Sequence, residues 1–153
     1  FILGLSNEQW TALNEDENKP MYNRFRQVWC PGSTFKPIIA AIGLESGAID
    51  PMEEYGNEGL SWQKDSSWGN YKVTTLTAYS GPKNLQNAMI HSDNIYFAQA
   101  TMQIGAQNFM NGLNKLKFGE NIDFTLSLAK SQYANNGEIS NEKFIQLVNK
   151  KRS

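Results

Sequence analysis

The 153-residue sequence contains a single cysteine, Cys30, and a single histidine, His91. One cysteine excludes an internal disulfide framework, and it cannot assemble a thiolate-rich metal site. A Ser-His-Asp triad, a histidine-based zinc site and Cys-His catalysis each need a histidine with partners, so the sequence leaves little room for them. A nucleophile in this chain therefore needs a different base.

The sequence also lacks an excess of charge, because 14 Lys and Arg residues against 15 Asp and Glu residues give a net charge of −1. This balance provides no field that attracts a polyanion, so we expect no nucleic-acid partner. No apolar run reaches the roughly 18 residues that span a bilayer, and we expect no membrane segment in this chain. The sequence starts at Phe1 without an initiator Met, which indicates a piece of a larger protein.

What is present is typical of a packed globular chain, since 40% of the residues are hydrophobic and 12% are aromatic. The length predicts about one domain. Residues 1–5 have the character of a strand end, and the charged residues 14–20 predict a loop. Residues 50–79, which are interrupted by glycines, predict loops with a short hairpin that includes residues 72–75.

Helical spacing of apolar residues predicts a helix over residues 33–46, with Gly47 just after its C-terminus. Small and apolar residues on its other faces predict that protein surrounds this helix. Further helices are predicted from residue 84 onward, two of them ending at Gly105 and Gly119. In the weakly patterned residues 121–153 we predict a turn at residues 135–137 and a last helix at residues 142–150.

Residues 31–37, Pro-Gly-Ser-Thr-Phe-Lys-Pro, place a serine at the start of that helix and a lysine one turn later. A serine hydroxyl needs a base, and a lysine amine can serve once burial lowers its pKa. Ser33 and Lys36 share one helix face, and free N–H groups at a helix start stabilise an oxyanion. By itself, however, Ser33 is equally an ordinary N-cap.

A second motif, Ser92-Asp93-Asn94, follows 59 residues after Ser33. Ser92 or Asp93 can cap the helix that begins near Ile95, but Ser-x-x-Lys followed by Ser-Asp-Asn is also a known catalytic pairing. The Ser92 hydroxyl can relay a proton between the lysine amine and a leaving group. The Asn94 amide can bind a substrate carbonyl and hold Lys36.

With these motifs the chain resembles the transpeptidase domain of penicillin-binding proteins, most closely the class B type including its low-affinity, methicillin-resistance-like branch. The resemblance covers about residues 1–120. It is carried by Asn23-Arg24-Phe25 before the first motif, by residues 62–69 (Trp-Gln-Lys-Asp-Ser-Ser-Trp-Gly), and by residues 92–98 (Ser-Asp-Asn-Ile-Tyr-Phe-Ala). The implied fold is α+β, of the serine β-lactamase and penicillin-binding transpeptidase type.

The resemblance implies that Ser33 is the acylated nucleophile, Lys36 its base, and Ser92 and Asn94 the second motif beside the cleft. The implied substrate is the acyl-D-Ala-D-Ala end of a peptidoglycan stem peptide, and β-lactams are implied to acylate the same serine. No metal or organic cofactor is implied. The implied location is the extracytoplasmic face of the bacterial membrane, through an anchor outside this chain.

The family's third motif, Lys-Thr/Ser-Gly on a β-strand, is missing from the sequence. Lys130-Ser131-Gln132 ends in the wrong residue, and Lys117-Phe118-Gly119 is better explained as a last helical turn with a glycine cap. We therefore expect residues 1–153 to be a partial transpeptidase domain, mainly its helical subdomain, with much of the sheet missing. Residues 121–153 are interpreted as a divergent tail.

Three alternatives stay open. A serine β-lactamase or a β-lactam-sensing domain shares both motifs, although neither Glu120 nor Glu138 lies in the setting of a deacylating glutamate. A catalytically inactive fragment is the third. Several other features are interpreted as structural: Tyr55-Gly56-Asn57 as a turn, Trp62, Trp68 and Tyr71 as hairpin packing rather than a ligand platform, His91 as a wall residue, and Cys30 as a bystander thiol.

Overall fold

The computed structural model describes residues 4–55 and 59–133. The chain divides into two units, one of residues 1–29 and 121–130 and the other of residues 30–120 and 131–153. In the described residues the regular elements are α1 (Asn7–Glu15), α2 (Lys36–Glu45), β1 (Ser61–Trp62), β2 (Val73–Thr74), α3 (Leu85–Ile90) and α4 (Asn94–Lys115), with 3₁₀ helices at Arg24–Arg26, Gly32–Phe35 and Ser66–Trp68.

In the first unit, α1 begins at a capping box. Ser6 Oγ accepts a hydrogen bond from the Gln9 N–H at 3.2 Å, and Gln9 Oε1 accepts one from the Ser6 N–H at 2.9 Å. The Ser-x-x-Gln pattern is the sequence signal for this helix, which the sequence analysis missed. The predicted strand at residues 1–5 is wrong for residues 4 and 5, which are irregular, and residues 1–3 lie outside the described part.

Two hydrogen bonds in the first unit join residues 23–25 to the distant residues 127–129. Asn23 caps the 3₁₀ helix Arg24–Arg26 and donates from Nδ2 to the Ser127 carbonyl at 3.2 Å. The Ala129 N–H donates to the Phe25 carbonyl at 3.4 Å. The predicted loop at residues 14–20 begins after Glu15, where α1 ends. None of the described residues of this unit is buried.

In the second unit, α2 packs against α4, and two glycines set how closely the helices approach. A Cβ at Gly112 of α4 would lie 2.5 Å from Ile42 Cγ1 of α2. A Cβ at Gly43 of α2 would lie 2.6 Å from Ile49 Cδ1 and 3.0 Å from Ile104 Cδ1 of α4. None of these neighbours is the free end of an exposed side chain, since Ile42, Ile49 and Ile104 are buried. The absence of a side chain at both positions therefore permits the packing.

The core of the second unit surrounds α4. Ile95, Tyr96 and Leu113 are fully buried, and Tyr96 and Leu113 belong to a cluster that also draws on α2 and α3. The predicted helix ends at two glycines are partly correct: Gly105 has φ +74° and interrupts α4, which then continues to Lys115. Gly119 also has positive φ and follows the last turn.

The helix predicted over residues 33–46 is observed as the 3₁₀ helix Gly32–Phe35 followed by α2, with Gly47 at φ +67° just after it. The prediction that protein surrounds this helix is wrong for the described residues. Pro37, Ala41 and Leu44 are exposed, and their spacing places them along one stripe of the helix. The buried residues of α2 are Lys36, Ala40, Ile42 and Gly43.

The predicted short hairpin is confirmed. β1 and β2 pair antiparallel, with Ser61 opposite Thr74 and Trp62 opposite Val73. Trp62 of β1 packs with two aromatic residues of the loop between the strands. The Trp62 and Trp68 rings are 5.4 Å apart and the Trp68 and Tyr71 rings 5.7 Å apart, both edge to face. The predicted turn at residues 135–137 and helix at residues 142–150 lie outside the described residues.

We expect Gly112→Ala to destabilise the chain. Alanine favours a helix by about 1 kcal/mol over glycine, but overpacking a filled core costs about 1–3 kcal/mol, so a net loss of up to about 2 kcal/mol is expected. The thermal midpoint, followed by circular dichroism, should fall.

Asn114→Ala is the matched control, since Asn114 lies on an exposed position of the same helix. This substitution should leave the midpoint unchanged or raise it slightly. A Gly112→Ala variant that melts at or above the native midpoint would contradict the packing constraint.

Candidate active site

Ser33 and Lys36 are aligned by the 3₁₀ helix Gly32–Phe35. A 3₁₀ helix has three residues per turn, so positions i and i+3 eclipse one another. The Lys36 N–H donates to the Ser33 carbonyl, and Lys36 Nζ lies 3.2 Å from Ser33 Oγ. Gly32 has φ +56° at the entry to this turn, and Thr34 Oγ1 donates to the Pro31 carbonyl at 2.7 Å. The predicted shared face is therefore observed, with a tighter helix than expected.

The Lys36 amine is buried among four oxygen atoms. The side chain is 7% exposed. Besides Ser33 Oγ, Nζ lies 2.6 Å from the Ser92 carbonyl, 2.8 Å from Ser92 Oγ and 2.7 Å from Asn94 Oδ1. The carbonyl and the amide oxygen can only accept, whereas the two hydroxyls can also donate. A neutral amine, with two N–H groups and one lone pair, satisfies this surrounding by donating to the two acceptors and accepting from a hydroxyl.

Burial lowers the pKa of Lys36 from its ordinary value of 10.5, and the negative charge of Asp93 opposes this shift. Burial is the larger effect because it removes water from an ammonium group, which disfavours the charged form. The Phe97 ring, whose centroid is 5.8 Å from Nζ, contributes to that apolar surrounding. Lys36 thus combines the position and the electrostatics of a general base.

The second motif lies in the turn between α3 and α4. Ser92 has φ +52°, in the left-handed region that is uncommon for a residue with a side chain. Asp93 caps α4, with Oδ1 accepting from the Ile95 N–H at 2.9 Å and the Tyr96 N–H at 3.3 Å. Of the two caps that the sequence allowed, the structure has Asp93.

Asn94 is the first residue of α4 and joins the helix to the hairpin. Its Nδ2 donates to the Thr74 carbonyl at 2.9 Å. Since Nδ2 is used there, Oδ1 must face Lys36, which fixes the orientation of the amide. The structure therefore brings the four predicted site residues, Ser33, Lys36, Ser92 and Asn94, together around one nitrogen atom. Their catalytic roles stay predictions.

Other residues singled out in the sequence lie in ordinary packing or at the surface. Tyr55 donates to Glu53 at 3.0 Å and its ring packs against Tyr96, while Gly56 and Asn57 lie outside the described residues. Cys30 is exposed. Glu120 pairs with Lys117 at 3.2 Å, both side chains being mostly exposed, and Glu138 lies outside the described residues.

Sequence reasoning missed Tyr79, whose hydroxyl donates to Asp93 Oδ2 at 2.9 Å. No sequence signal identifies it, because it is a single aromatic residue in an irregular segment between β2 and α3. Over residues 4–55 and 59–133, no group of three His, Cys, Asp and Glu side chains is arranged to hold a metal ion. Over the same residues, no helix has the length and apolar character of a membrane span.

The sequence profile described as "Penicillin binding protein transpeptidase domain" matches residues 2–147. The chain belongs to the penicillin-binding protein transpeptidase family. The predicted family is thus confirmed.

Curated relatives agree with this assignment. Over 135 residues the chain is 44% identical to Penicillin-binding protein 3 of Bacillus subtilis, and over 132 residues it is 27% identical to the peptidoglycan D,D-transpeptidase MrdA of Escherichia coli K12. These matches take in 88% and 86% of this chain. The chain spans about a fifth of the length of these relatives, 20% in both cases.

Solved structures show the same fold. The structure of Pseudomonas aeruginosa PBP2 in complex with WCK 5153 superposes with a TM-score of 0.73 at 21% identity, covering 97% of this chain and 36% of that one. The D,D-transpeptidase domain of a peptidoglycan glycosyltransferase from Eggerthella lenta gives 0.66 at 26% identity, covering 82% of this chain and 29% of that one. The predicted penicillin-binding α+β fold, here mostly helical with a small two-stranded sheet, is confirmed.

We expect Ser92→Gly to be more stable than Ser92→Ala by about 1 kcal/mol, because only glycine adopts positive φ without a steric cost. Both variants lose the same hydroxyl, so the lost contact with Lys36 cancels in the comparison. Urea denaturation curves of the two variants give the difference.

Ser46 provides the control pair. It has φ −77° at the end of α2, so Ser46→Gly should be less stable than Ser46→Ala. If Ser92→Gly were also the less stable of its pair, the strained backbone at Ser92 would be refuted.

Proposed function

We propose that this chain carries the nucleophile side of a peptidoglycan D,D-transpeptidase site, which forms a serine acyl-enzyme at Ser33. The observation that carries the proposal is the buried Lys36 amine, which lies within hydrogen-bonding distance of both Ser33 Oγ and Ser92 Oγ. Membership of the transpeptidase family supports it. The relatives named as D,D-transpeptidases supply the reaction class.

In the proposed reaction Ser33 Oγ attacks the carbonyl carbon of the penultimate D-Ala, and its proton passes to Lys36 Nζ. The tetrahedral intermediate then expels the terminal D-Ala as its C–N bond breaks. The leaving amine takes the proton from Lys36 through the Ser92 hydroxyl, which can accept and donate at once. An amine of a neighbouring stem peptide then attacks the ester carbonyl carbon, forms a new C–N bond and passes a proton to Lys36 Nζ. The ester C–O bond breaks, and Ser33 Oγ takes that proton from Lys36.

The oxygen atoms around Lys36 can hydrogen-bond to both the neutral and the charged amine during the proposed reaction. When the amine takes the proton it has three N–H groups, and three oxygen atoms already lie within 2.8 Å of it. The charged form therefore needs no rearrangement, which is the preorganisation that lowers a barrier. Free N–H groups at the start of the Ser33 turn are proposed to stabilise the oxyanion, and Asn94 to contact the substrate carbonyl.

The proposed partners are peptidoglycan stem peptides and β-lactams, with penicillin as a covalent ligand of Ser33. No cofactor and no nucleic acid take part. We propose that the protein acts at the extracytoplasmic face of the bacterial membrane, through an anchor outside this chain. The assignment to the low-affinity class B branch and the reading of residues 1–153 as a partial domain with a divergent tail at 121–153 stay predictions.

A catalytically inactive fragment is the second candidate, and one sequence observation favours it. No Lys-Thr-Gly or Lys-Ser-Gly occurs among the 153 residues. In the family that this chain resembles, the β-strand with this motif binds the substrate carboxylate and supplies an oxyanion N–H group. A serine β-lactamase or β-lactam sensor is the remaining alternative. The β-lactamase differs from a transpeptidase in how long the acyl-enzyme persists.

We expect the native chain to form a covalent adduct with a fluorescent penicillin, and Ser33→Ala to form none, because the attacking oxygen is gone. Intact-mass analysis of the labelled chain checks this. Cys30→Ser is the matched control, since Cys30 is an exposed thiol three residues before Ser33 and its loss should leave labelling intact.

An adduct that persists after removal of free penicillin indicates a transpeptidase, while rapid loss of the adduct indicates a β-lactamase. A native chain that takes up no label is the inactive fragment. Equal labelling of native and Ser33→Ala chains would refute the assignment of the nucleophile.

We expect the rate of Ser33 acylation to rise with pH and to level off below pH 10.5, because Lys36 acts as the neutral amine and burial lowers its pKa below that ordinary value. The rate rises with pH because a protonated Lys36 amine cannot accept the proton of Ser33. Rates of penicillin labelling from about pH 6 to about pH 10 give the profile.

Lys36→Arg is the control, because a guanidinium stays charged at all working pH values. It should reduce the rate at least about 100-fold, the usual contribution of a general base. A rate that is independent of pH in the native chain, or a Lys36→Arg variant with the native rate, would exclude Lys36 as the base.

A further inference from the structure

Tyr79 contacts the residues on both sides of Ser92. Its ring stacks on the His91 imidazole, with centroids 4.2 Å apart and an interplanar angle of 10°. Its hydroxyl donates to Asp93 Oδ2 at 2.9 Å. Between these two contacts lies Ser92 with its left-handed backbone. One side chain therefore brackets the strained residue of the site.

We propose that Tyr79 is a positioning residue, which holds Ser92 in its left-handed conformation and thereby keeps the Ser92 hydroxyl and carbonyl on the Lys36 amine. The effect of Tyr79 on acylation rests on the function proposed above. A strained backbone persists only where the surrounding structure fixes it. The two contacts of Tyr79 are the restraint on either side of Ser92.

Tyr79 is itself held by groups that do not belong to the Ser92 turn. Lys83 Nζ lies 3.5 Å from the centroid of the Tyr79 ring and also donates to the Tyr79 carbonyl. The Lys83 N–H donates to Glu54 Oε2 at 2.9 Å, and the Lys83 carbonyl accepts from the Tyr55 N–H at 3.2 Å. The phenol is thus anchored to the segment that follows α2, which gives it a fixed base from which to restrain the turn.

The hydrogen bond to Asp93 matters because that side chain is 5% exposed. Asp93 Oδ1 is occupied by the N–H groups of Ile95 and Tyr96, so Tyr79 serves the other carboxylate oxygen. Leaving a buried carboxylate oxygen without a hydrogen-bond donor costs free energy. Without the Tyr79 hydroxyl, the turn is free to move until this oxygen finds another donor. Burial, together with the bond to Asp93, raises the pKa of Tyr79, so the hydroxyl keeps its proton and stays a donor.

The charged and titratable groups around this contact come from several elements: Lys36 from α2, Glu54 and Lys83 from the flanking loops, His91 after α3, and Asp93 and Tyr96 at the start of α4. Of these, Asp93 acts directly on Lys36, since its charge opposes the lowering of the Lys36 pKa. Loss of the Tyr79 hydroxyl leaves that charge less neutralised by hydrogen bonds. It also lets the turn loosen and admit water to the amine, so both effects raise the Lys36 pKa.

The test is Tyr79→Phe in the full chain, a change that removes the hydroxyl and keeps the stacked ring. NMR titration of the Lys36 ε-carbon should show its pKa moving upward. Acylation by a fluorescent penicillin should slow about tenfold at neutral pH, as expected for loss of a hydrogen bond to a charged group. Its pH profile should move to higher pH.

Tyr55→Phe is the matched control. Tyr55 also donates its hydroxyl to a carboxylate, Glu53, and its ring packs on the core residue Tyr96. Tyr55 does not make the contacts with His91 and Asp93 that Tyr79 makes, so the Lys36 titration and the acylation profile of Tyr55→Phe should match those of the native chain. If Tyr79→Phe unfolds, His91→Ala is the second test, because it removes the stacking contact with Tyr79 at an exposed position. Acylation should then be about threefold slower.

A native Lys36 titration in Tyr79→Phe, or the same shift in Tyr55→Phe, would overturn the proposal. Likewise, a folded His91→Ala chain with native acylation would overturn it when Tyr79→Phe does not fold. The NMR titration needs no acylation, so it decides the role of Tyr79 even in a chain that penicillin does not label. Absence of labelling in the native chain counts against the proposed function alone.

Discussion

The burial of one amine constrains the rest of the second unit. Lys36 Nζ is removed from water, so every hydrogen-bonding partner it has must be supplied by the protein. Those partners come from its own turn and from residues 56 and 58 positions further along the chain. Holding the Ser92 and Asn94 oxygen atoms within 2.8 Å of Nζ requires α2 and the start of α4 to keep a fixed separation. The packing of these two helices is therefore part of the site.

The two glycines at the helix interface are the means by which this separation is kept. Gly112 lies against Ile42 near the far end of α4, whereas Asn94 contacts Lys36 at its beginning. Ile95, Tyr96 and Leu113, which are fully buried, fill the core along the length of α4. The kink at Gly105 lies between these contacts and divides the helix.

Much of the site was predictable because its contacts are local or belong to a known motif. Ser33 and Lys36 meet through i, i+3 geometry, and Asp93 caps the next helix by the usual chemistry of a short carboxylate. Tyr79 was not predictable, since its contact with Asp93 depends on how an irregular segment folds back over fourteen residues. The exposed stripe of α2 was missed for a related reason: an apolar helix face has the same sequence pattern whether or not neighbouring protein covers it.

Asp93 lies near the Lys36 amine, yet burial outweighs the effect of its charge on the Lys36 pKa, and the hydrogen bonds of Asp93 explain how. An unpaired buried carboxylate would attract a proton or a cation strongly, which would favour the charged form of Lys36. Two backbone N–H groups and the Tyr79 hydroxyl instead take up its lone pairs. The carboxylate thereby serves the start of α4 and the Ser92 turn, while burial still dominates the pKa of the amine. The second motif can thus include an acidic residue next to two residues that contact the base.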